Sequence, residues 1–439
     1  MMRAGSTGSW AWMGIALAAA GCGGGERGAA AGDDAPANLS YYRDIKPIFD
    51  ARCAECHTTG GIAPFSLERH DAAAPWAAAI KRAVVDRTMP PWLADNACAE
   101  YEGDRSLSDE QIETIAAWVD GGAVEGDPAE EGPPLGVPAG DDLARVDLTV
   151  EMPIEYTPVE EPDDYRCFVV DWPAEGTRYV TGFRVRPGEQ RTVHHVIAFV
   201  ADPDQLATVD ALDASDAGPG YPCFGGPGLR PRWLGAWAPG AGSVTFPPGT
   251  GIRVEAGSRL ILQIHYNTLT AGKLPDRSAM DVMTESSVER EGVFQPWANP
   301  AWIDTDLMAI PAFERDVVHR WAIDPTRPLT GGEPFEIHIA GFHMHTLGRR
   351  GRLAIERADG SSECVLDIPR WDFHWQGSYK LAAPKVLNPG DRLSLECRWD
   401  NTPENQPLVD GRPQVPRDVV WGEGTTDEMC LGTFYMTRR

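Results

Sequence analysis

The sequence is short of positive charge: Lys plus Arg total 39 against 65 Asp plus Glu, a formal net charge of -26. A surface that acidic repels phosphate backbones, so no nucleic-acid partner is expected. Long apolar runs are also missing. The one candidate, Trp10 to Ala20, is too short to span a bilayer stably. With 42% hydrophobic and 24% charged residues the chain fits neither a multi-span membrane protein nor a disordered one. A long internal repeat is lacking too. What the chain has in quantity is Gly and Pro, 46 and 37 residues, which over the latter two-thirds point to many short strands and turns. Its 439 residues, at roughly 150 per domain, give an expectation of about three domains.

Residues 1 to 22 read as an export signal, with Arg3 ahead of the apolar stretch. The stretch ends Leu17, Ala18, Ala19, Ala20, Gly21, Cys22, and small residues before a cysteine resemble a bacterial lipoprotein lipobox. Cys22 would then carry the lipid that anchors the chain to a membrane, and residues 23 to 40 would be a flexible tether. An ordinary signal peptide with Cys22 incidental is the competing reading. Either way the chain is expected outside the cytoplasm, where disulfides are permitted, and on the lipobox reading it is a lipoprotein on the periplasmic face of the outer membrane or on the cell surface.

Residues 41 to 125 read as a small, mostly helical unit. One helical stretch opens near Leu39 with Tyr42, Ile45, Ile48 and Phe49 at helical spacing. Another is capped by Ser108, carries Ile112, Ile115, Ala116 and Val119, and stops at Gly121 and Gly122. The run from 126 to 145, rich in Pro, Gly, Asp and Glu, reads as a linker. Beyond it the periodicity changes to short β-branched or alternating segments, such as Tyr179 to Val185, Val193 to Val200, Arg259 to His265 and Phe335 to Ile339. About 290 residues of this kind suit two β-sandwiches, divided at 146–290 and 291–439.

Within the helical unit, Cys53, Ala54, Glu55, Cys56 and His57 match the C-x-x-C-H pattern of covalent c-type haem attachment: two thiols add to the haem vinyl groups and the histidine binds iron. A disulfide or a zinc pair is the alternative, but no second ligand pair follows at suitable spacing. Met89, the only methionine between residues 14 and 151, is the expected sixth ligand, with His70 as competitor. The unit as a whole resembles a small monohaem cytochrome c.

Eight histidines lie outside that unit, and five of them fall into patterns. His343 and His345 flank Met344; on a strand the period of two would put both imidazoles on one face, able to grip one ion. His194 and His195 are adjacent in an apolar run, so they can share a metal only if the backbone bends there or the two rings use different nitrogens. His265 sits in another apolar segment, Leu262 to Tyr266. His319, His338 and His374 read as ordinary hydrogen-bonded histidines.

The order of His194 and His195, then His265 with Tyr266, then His343 and His345 with Leu347 and Gly348, then Thr426 to Cys430 reading Thr, Asp, Glu, Met, Cys, resembles the copper type II monooxygenases, over about residues 146 to 439. That family includes the peptidylglycine and dopamine hydroxylating enzymes. The resemblance implies two copper ions. His194, His195 and His265 would hold the electron-transfer copper, and His343, His345 and Met429 the copper at which O2 reacts. It also implies an eight- to nine-stranded sandwich for each copper, the two facing an open cleft, and disulfides Cys167–Cys223 and Cys397–Cys430. Cys98 and Cys364 are left over, either paired with each other across domains or both free. Imidazole with a thioether agrees with copper, since zinc has neither a redox step nor a use for a soft sulfur.

The departures are informative. Where the peptidylglycine enzymes hold a substrate carboxylate with an arginine and a tyrosine, this chain has Gly341 and Thr433. A glycine-extended peptide is therefore not the expected substrate, because nothing there pairs with a carboxylate. The expected activity is hydroxylation of a C–H bond of a small organic molecule with O2. An external donor, ascorbate-like or a redox protein, supplies the electrons, and the haem relays them toward His194, His195 and His265. The alternative function is a non-catalytic electron-transfer or copper-handling lipoprotein.

Overall fold

The computed structural model describes residues 39–54, 56–59, 63–135, 143–224, 226–238, 241–268, 271–303, 305–409 and 412–439. The expected signal peptide, most of the tether and Cys22 lie outside these residues. No helix among the described residues is long and apolar enough to cross a membrane.

The N-terminal part is helical. Tyr41–Ile45 forms a π-turn that runs into a helix at Lys46–Arg52, with Pro47 in its first turn, where the missing N–H costs nothing. His70–Ala73 and Ala77–Val85 are further helices, and Asp109–Asp120 closes the unit. Ser108 caps that last helix in a capping box with Gln111, so two otherwise unpaired donors are satisfied where the polar-to-apolar periodicity begins. Tyr41, Ile45, Phe49, Leu67, Ile80, Val84, Ile115 and Trp118 form the core of the unit.

The run read as a linker begins by packing back onto this unit. Tyr41 N and Tyr42 N donate to Val124 O and Glu125 O, and Gly132 N donates to Tyr42 O at 3.2 Å. What fixes the unit against the rest of the chain is a segment inside it, residues 92–102. This arm leaves the helices and adds to the C-terminal sandwich. Glu102 N donates to Lys380 O and Ala382 N to Glu100 O, both backbone bonds, while Tyr101 Oη donates to Val365 O and Trp92 meets Tyr379 edge-on at 5.1 Å. Cys98 and Cys364, the pair left open by the sequence, are joined in a disulfide across the same contact. Arg370 adds bonds to the carbonyls of Asp86 and Arg87.

The remainder is two β-sandwiches. In the first, the layer Leu148–Glu151, Ala279–Glu285, Arg178–Arg186 and Thr250–Val254 packs on a layer of Arg232–Trp237, Val193–Ala201, Arg259–Asn267, Asp163–Asp171 and Tyr221–Pro222. Phe168, Phe183, Leu234, Ile252 and Leu262 fill the space between them. In the second, Arg290–Trp297, Leu431–Arg438, Phe335–His343 and Ser378–Leu387 form one layer, and Arg315–Ile323, Arg392–Asp400, Gly348–Glu356 and Ser362–Ile368 the other. The segments read as strands are strands, each extended by one to four residues at its ends.

The two sandwiches share hydrogen bonds. Arg290–Trp297 runs antiparallel to Leu431–Arg438 of its own sandwich and parallel to Thr250–Val254 of the other. Tyr435 crosses the boundary to stack on Phe246 at 4.1 Å and to donate to Thr250 Oγ1. Disulfides Cys167–Cys223 and Cys397–Cys430 are both formed, one in each sandwich.

A double Cys98→Ser, Cys364→Ser variant removes the covalent clamp on the arm. The expected result is a loss of about 2–5 kcal/mol of stability at this contact, seen by calorimetry as a separate, lower melting transition of the helical unit. A single unchanged transition would show that the hydrogen bonds of residues 92–102 hold the unit unaided.

Candidate metal centres

His194, His195 and His265 lie on neighbouring strands of the first sandwich. The ladder between Val193–Ala201 and Arg259–Asn267 pairs Val193 with Tyr266 and His195 with His265, so its register shifts across His194. An extra residue at that point is a β-bulge, and it turns His194 to the side that His195 would otherwise occupy alone. The backbone thus bends where adjacent histidines need it to bend. His194 Nδ1 lies 3.3 Å from His195 Nδ1 and 3.1 Å from His265 Nδ1.

Three imidazole nitrogens this close cannot all be bare acceptors in comfort. Edges of this length are what donors about 2.0–2.1 Å from one ion make, and these three residues form a group able to hold a metal among the described residues. The other face of each ring is accounted for differently. His265 Nε2 bonds Asp163 Oδ1 at 2.9 Å, which fixes the tautomer that leaves Nδ1 facing the cluster, and its ring stacks on Tyr165 at 4.0 Å. His194 stacks on Phe373, a residue of the second sandwich, at 4.6 Å, and its buried Nε2 has no hydrogen-bond partner. Burial holds His194, His195 and His265 below the ordinary imidazole range; Asp163 partly opposes this for His265.

The second group forms at the end of the Phe335–His343 strand. His343 is its last residue, and His345 lies just beyond it, so the two-residue period of a regular strand does not by itself align the pair. A buried carboxylate does. Glu428 accepts from the backbone N–H of His345 at 2.9 Å, from that of Leu347 at 2.6 Å and from Trp399 Nε1 at 2.8 Å. The imidazole rings end 4.9 Å apart. His343 Nδ1 bonds Gln376 Oε1 at 2.6 Å and His345 Nδ1 bonds the Asp427 carbonyl at 3.1 Å, so both rings keep Nε2 available. Burial pushes His343 down to about 4 and His345 well below the ordinary range, whereas it raises Glu428 to about 7.

Met429 follows Glu428, is buried, and lines the same cavity as His343 and His345. Cys430, bonded to Cys397, anchors the residue after Met429 to a strand of the opposite layer, Arg392–Asp400. Two neutral imidazoles and a thioether are a donor set that suits copper.

Two family models match the chain over more than half its length. One describes the N-terminal domain of the copper type II ascorbate-dependent monooxygenases and covers residues 148–273; the other describes the C-terminal domain and covers 303–437. The chain belongs to this family. Mouse DBH-like monooxygenase protein 2 is 24% identical over 264 residues, covering 55% of this chain and 38% of that protein. Human DBH-like monooxygenase protein 1 is 24% identical over 262 residues, 56% of this chain and 39% of that protein. The chain therefore spans about two-fifths of the length of these relatives. Among solved structures, the major capsid protein P2 of bacteriophage PM2 aligns at 9% identity, 63% of this chain with 98% of that one, and a TM-score of 0.26, too low to bear on the site.

Within this family the chain departs from the open cleft that the resemblance implied. The His195 and His343 rings lie 6.1 Å apart, and one cavity is lined by His195 together with His343, His345 and Met429. Cross-links between the sandwiches explain the closeness. Tyr165 Oη donates to Glu423 O at 2.7 Å, and Asp163, the partner of His265, also accepts from Thr425 Oγ1 at 2.7 Å. Asp163, Gln376 and Glu428 are the site residues that sequence reasoning missed; Glu428 stood inside the Thr426 to Cys430 motif and Gln376 inside the aromatic segment Trp371 to Tyr379, which resembles a framework segment of the family, while Asp163 had no signal near it.

The haem candidates are placed in part. Cys53 and Cys56 lie outside the three disulfides, and His57 Nδ1 bonds the Phe65 carbonyl at 3.0 Å, leaving Nε2 available. That arrangement fits an iron-ligating histidine. His70 Nε2 bonds Ala123 O at 2.7 Å, which occupies the competitor. Met89 lines a cavity with Trp92, Leu107 and Arg370, and neither cysteine nor His57 is among the described residues lining it. His319, His338 and His374 are each hydrogen-bonded elsewhere.

Glu428→Ala leaves three buried donors unpaired, and the expected cost is about 1–3 kcal/mol for each group stranded, read from urea denaturation. Asp163→Ala should weaken copper binding at His194, His195 and His265 by about 10–100-fold, measured by competition with a chromophoric chelator, and leave the other group bound. The metal-free protein should also lose stability in acid. Unfolded imidazoles take up protons near their ordinary value of about 6.5, whereas folded His343 stays neutral down to about 4. The stabilisation present above about pH 6.5 is therefore lost as the pH falls toward 4, and His343→Gln should flatten that slope in a pH series of denaturation curves.

Proposed function

We propose that this protein is an exported copper-dependent monooxygenase that inserts one atom of O2 into a C–H bond of a small organic molecule. The observation that carries the reading is the single cavity lined by His195 of one donor group and His343, His345 and Met429 of the other. In balance, R–H, O2, two electrons and two protons give R–OH and water; the electrons come from an ascorbate-class reductant. Copper, when bound, would supply one-electron cycling at His194, His195 and His265 and O2 activation at His343, His345 and Met429.

The rest falls to the protein. Asp163 holds the His265 ring with Nδ1 inward, and Gln376 and the Asp427 carbonyl hold His343 and His345 with Nε2 available. Glu428 fixes the backbone of the His345 turn while the Cys397–Cys430 bond fixes the residue after Met429, so both donors approach from rigid supports. Burial keeps every imidazole neutral at pH 7, ready to bind metal without first releasing a proton.

The C-x-x-C-H spacing of Cys53, Cys56 and His57, the place of both cysteines outside the three disulfides and the available Nε2 of His57 support a covalently bound c-type haem, with Met89 as the sixth ligand; it would supply one-electron carriage. The N-terminal sequence supports a lipoprotein acylated at Cys22 and held at the periplasmic face of the outer membrane or the cell surface.

Metal and haem analysis of the exported protein should give two coppers and one haem, the haem lost from a Cys53→Ser, Cys56→Ser variant. Substrate-dependent O2 uptake should fall to background in His345→Ala and in Met429→Ala. Uptake unchanged in both variants would sink the monooxygenase reading and leave a copper-handling or electron-transfer protein.

A further inference from the structure

The cavity beside His343, His345 and Met429 encloses about 300 Å³, the lower end of the range of about 300–1,000 Å³ for small-molecule sites. Its walls are mostly aromatic and aliphatic, with Phe199, Trp233, Trp237, Phe294, Phe342 and Leu431 among them. Trp233 and Trp237 are half-buried, and Trp237 spends its only polar atom on a bond to Ala241 O at 2.7 Å, so it turns ring surface to the cavity. Trp233 stands parallel to Phe294 and edge-on to Phe199, a stiff aromatic wall.

The charge balance is equally informative. No Lys or Arg is among the described residues lining the cavity, and the one ionisable side chain outside the histidines and Tyr165 is the acidic Glu423. Gly341 and Thr433, both lining residues, are paired across adjacent strands, and a Cβ on Gly341 would come within 2.6 Å of Thr433 Oγ1. A large cationic side chain has no room at Gly341. An anion entering here would lose its hydration with no cationic side chain among the described lining residues to replace it, a cost that weighs against it.

We propose that this cavity receives an uncharged organic substrate carrying an apolar ring, held by aromatic contact against Trp233 and Trp237, and that it rejects carboxylates. The inference rests on the monooxygenase reading for the reaction but not for the binding. The bond broken is a C–H bond of the seated molecule and the bond formed is C–O; the second oxygen atom leaves as water, and the two electrons come from the ascorbate-class reductant.

The test uses three compounds of one skeleton, indane, indane-2-carboxylate and 2-aminoindane. Binding to the full-length, copper-free protein is followed by tryptophan fluorescence and calorimetry. Indane should bind at least about tenfold more tightly than the carboxylate. Ala236→Trp, which fills the cavity from a lining position on the Arg232–Trp237 strand, should abolish indane binding, and Trp233→Ala should weaken it by about tenfold or more. Both variants should retain copper at His343, His345 and Met429, which shows that the fold survives. Equal or tighter binding of the carboxylate, tighter binding of the amine, or indane binding unaffected by Ala236→Trp would each overturn the proposal. A parallel incubation of the copper-loaded protein with ascorbate and ¹⁸O₂ separates the two readings. Indane bound but never hydroxylated would count against the monooxygenase and leave the binding site standing, whereas labelled product from the carboxylate alone would do the reverse.

Discussion

The arrangement of this molecule depends on two carboxylates behind the donor groups, Glu428 buried and Asp163 half-buried. Glu428 accepts hydrogen bonds from His345 N, Leu347 N and Trp399 Nε1, and thereby ties the turn that carries one donor to the segment that carries Met429. Asp163 does the matching work in the first sandwich by holding His265, and it accepts from Thr425 as well. Thr425 and Glu428 belong to one short segment. A continuous path of hydrogen bonds and backbone therefore runs from His265 through Asp163 and this segment to His345. Such networks hold their geometry only when every member is satisfied, which is why removing a carboxylate costs more than the bonds it makes.

The same path brings the two donor groups together. Were the sandwiches joined only by the chain between them, nothing would oppose separation in water of faces lined with imidazole. The Phe246–Tyr435 stack, the Tyr165–Glu423 bond and the shared ladder of Arg290–Trp297 oppose it, and His195 and His343 end up 6.1 Å apart. The consequence is a cavity whose wall is built from both sandwiches. Its apolar lining comes from strands of each, Phe199 and Trp233 from one and Phe342 and Leu431 from the other.

Much of this was legible in the sequence, for identifiable reasons. The β-branched segments announced the sandwiches because strand burial leaves a local pattern, and Ser108 with the glycines at 121 and 122 announced the last helix because caps are local too. The histidines stood out because adjacent and alternate imidazoles in apolar runs are rare. What could not be read was whatever depends on distant partners. That His194 and His195 can face one point follows from a bulge set by the register against a strand about seventy residues away, not from their own segment. Asp163 and Glu428 are two among 65 acidic residues, and their partners lie 102 and 83 positions off. Cys98 and Cys364, separated by 266 residues, gave no local sign of pairing.

That last bond changes how the helical unit relates to the rest. A flexible linker between 126 and 145 would leave the unit free to sample many positions, and electrons were expected to pass from it toward His194, His195 and His265. The arm at 92–102 instead binds the unit, covalently and by backbone hydrogen bonds, to the sandwich that carries His343 and His345. Trp92 on the arm meets Tyr379, which lies three residues from Gln376, and Gln376 bonds His343. A short route of one ring contact, a backbone stretch and one hydrogen bond thus leads from the arm to the imidazole of the second donor group, and no comparable described contact leads from the arm to the first. The helical unit is therefore fixed to the sandwich that carries His343 and His345, and the arm, rather than the linker, sets where the unit stands.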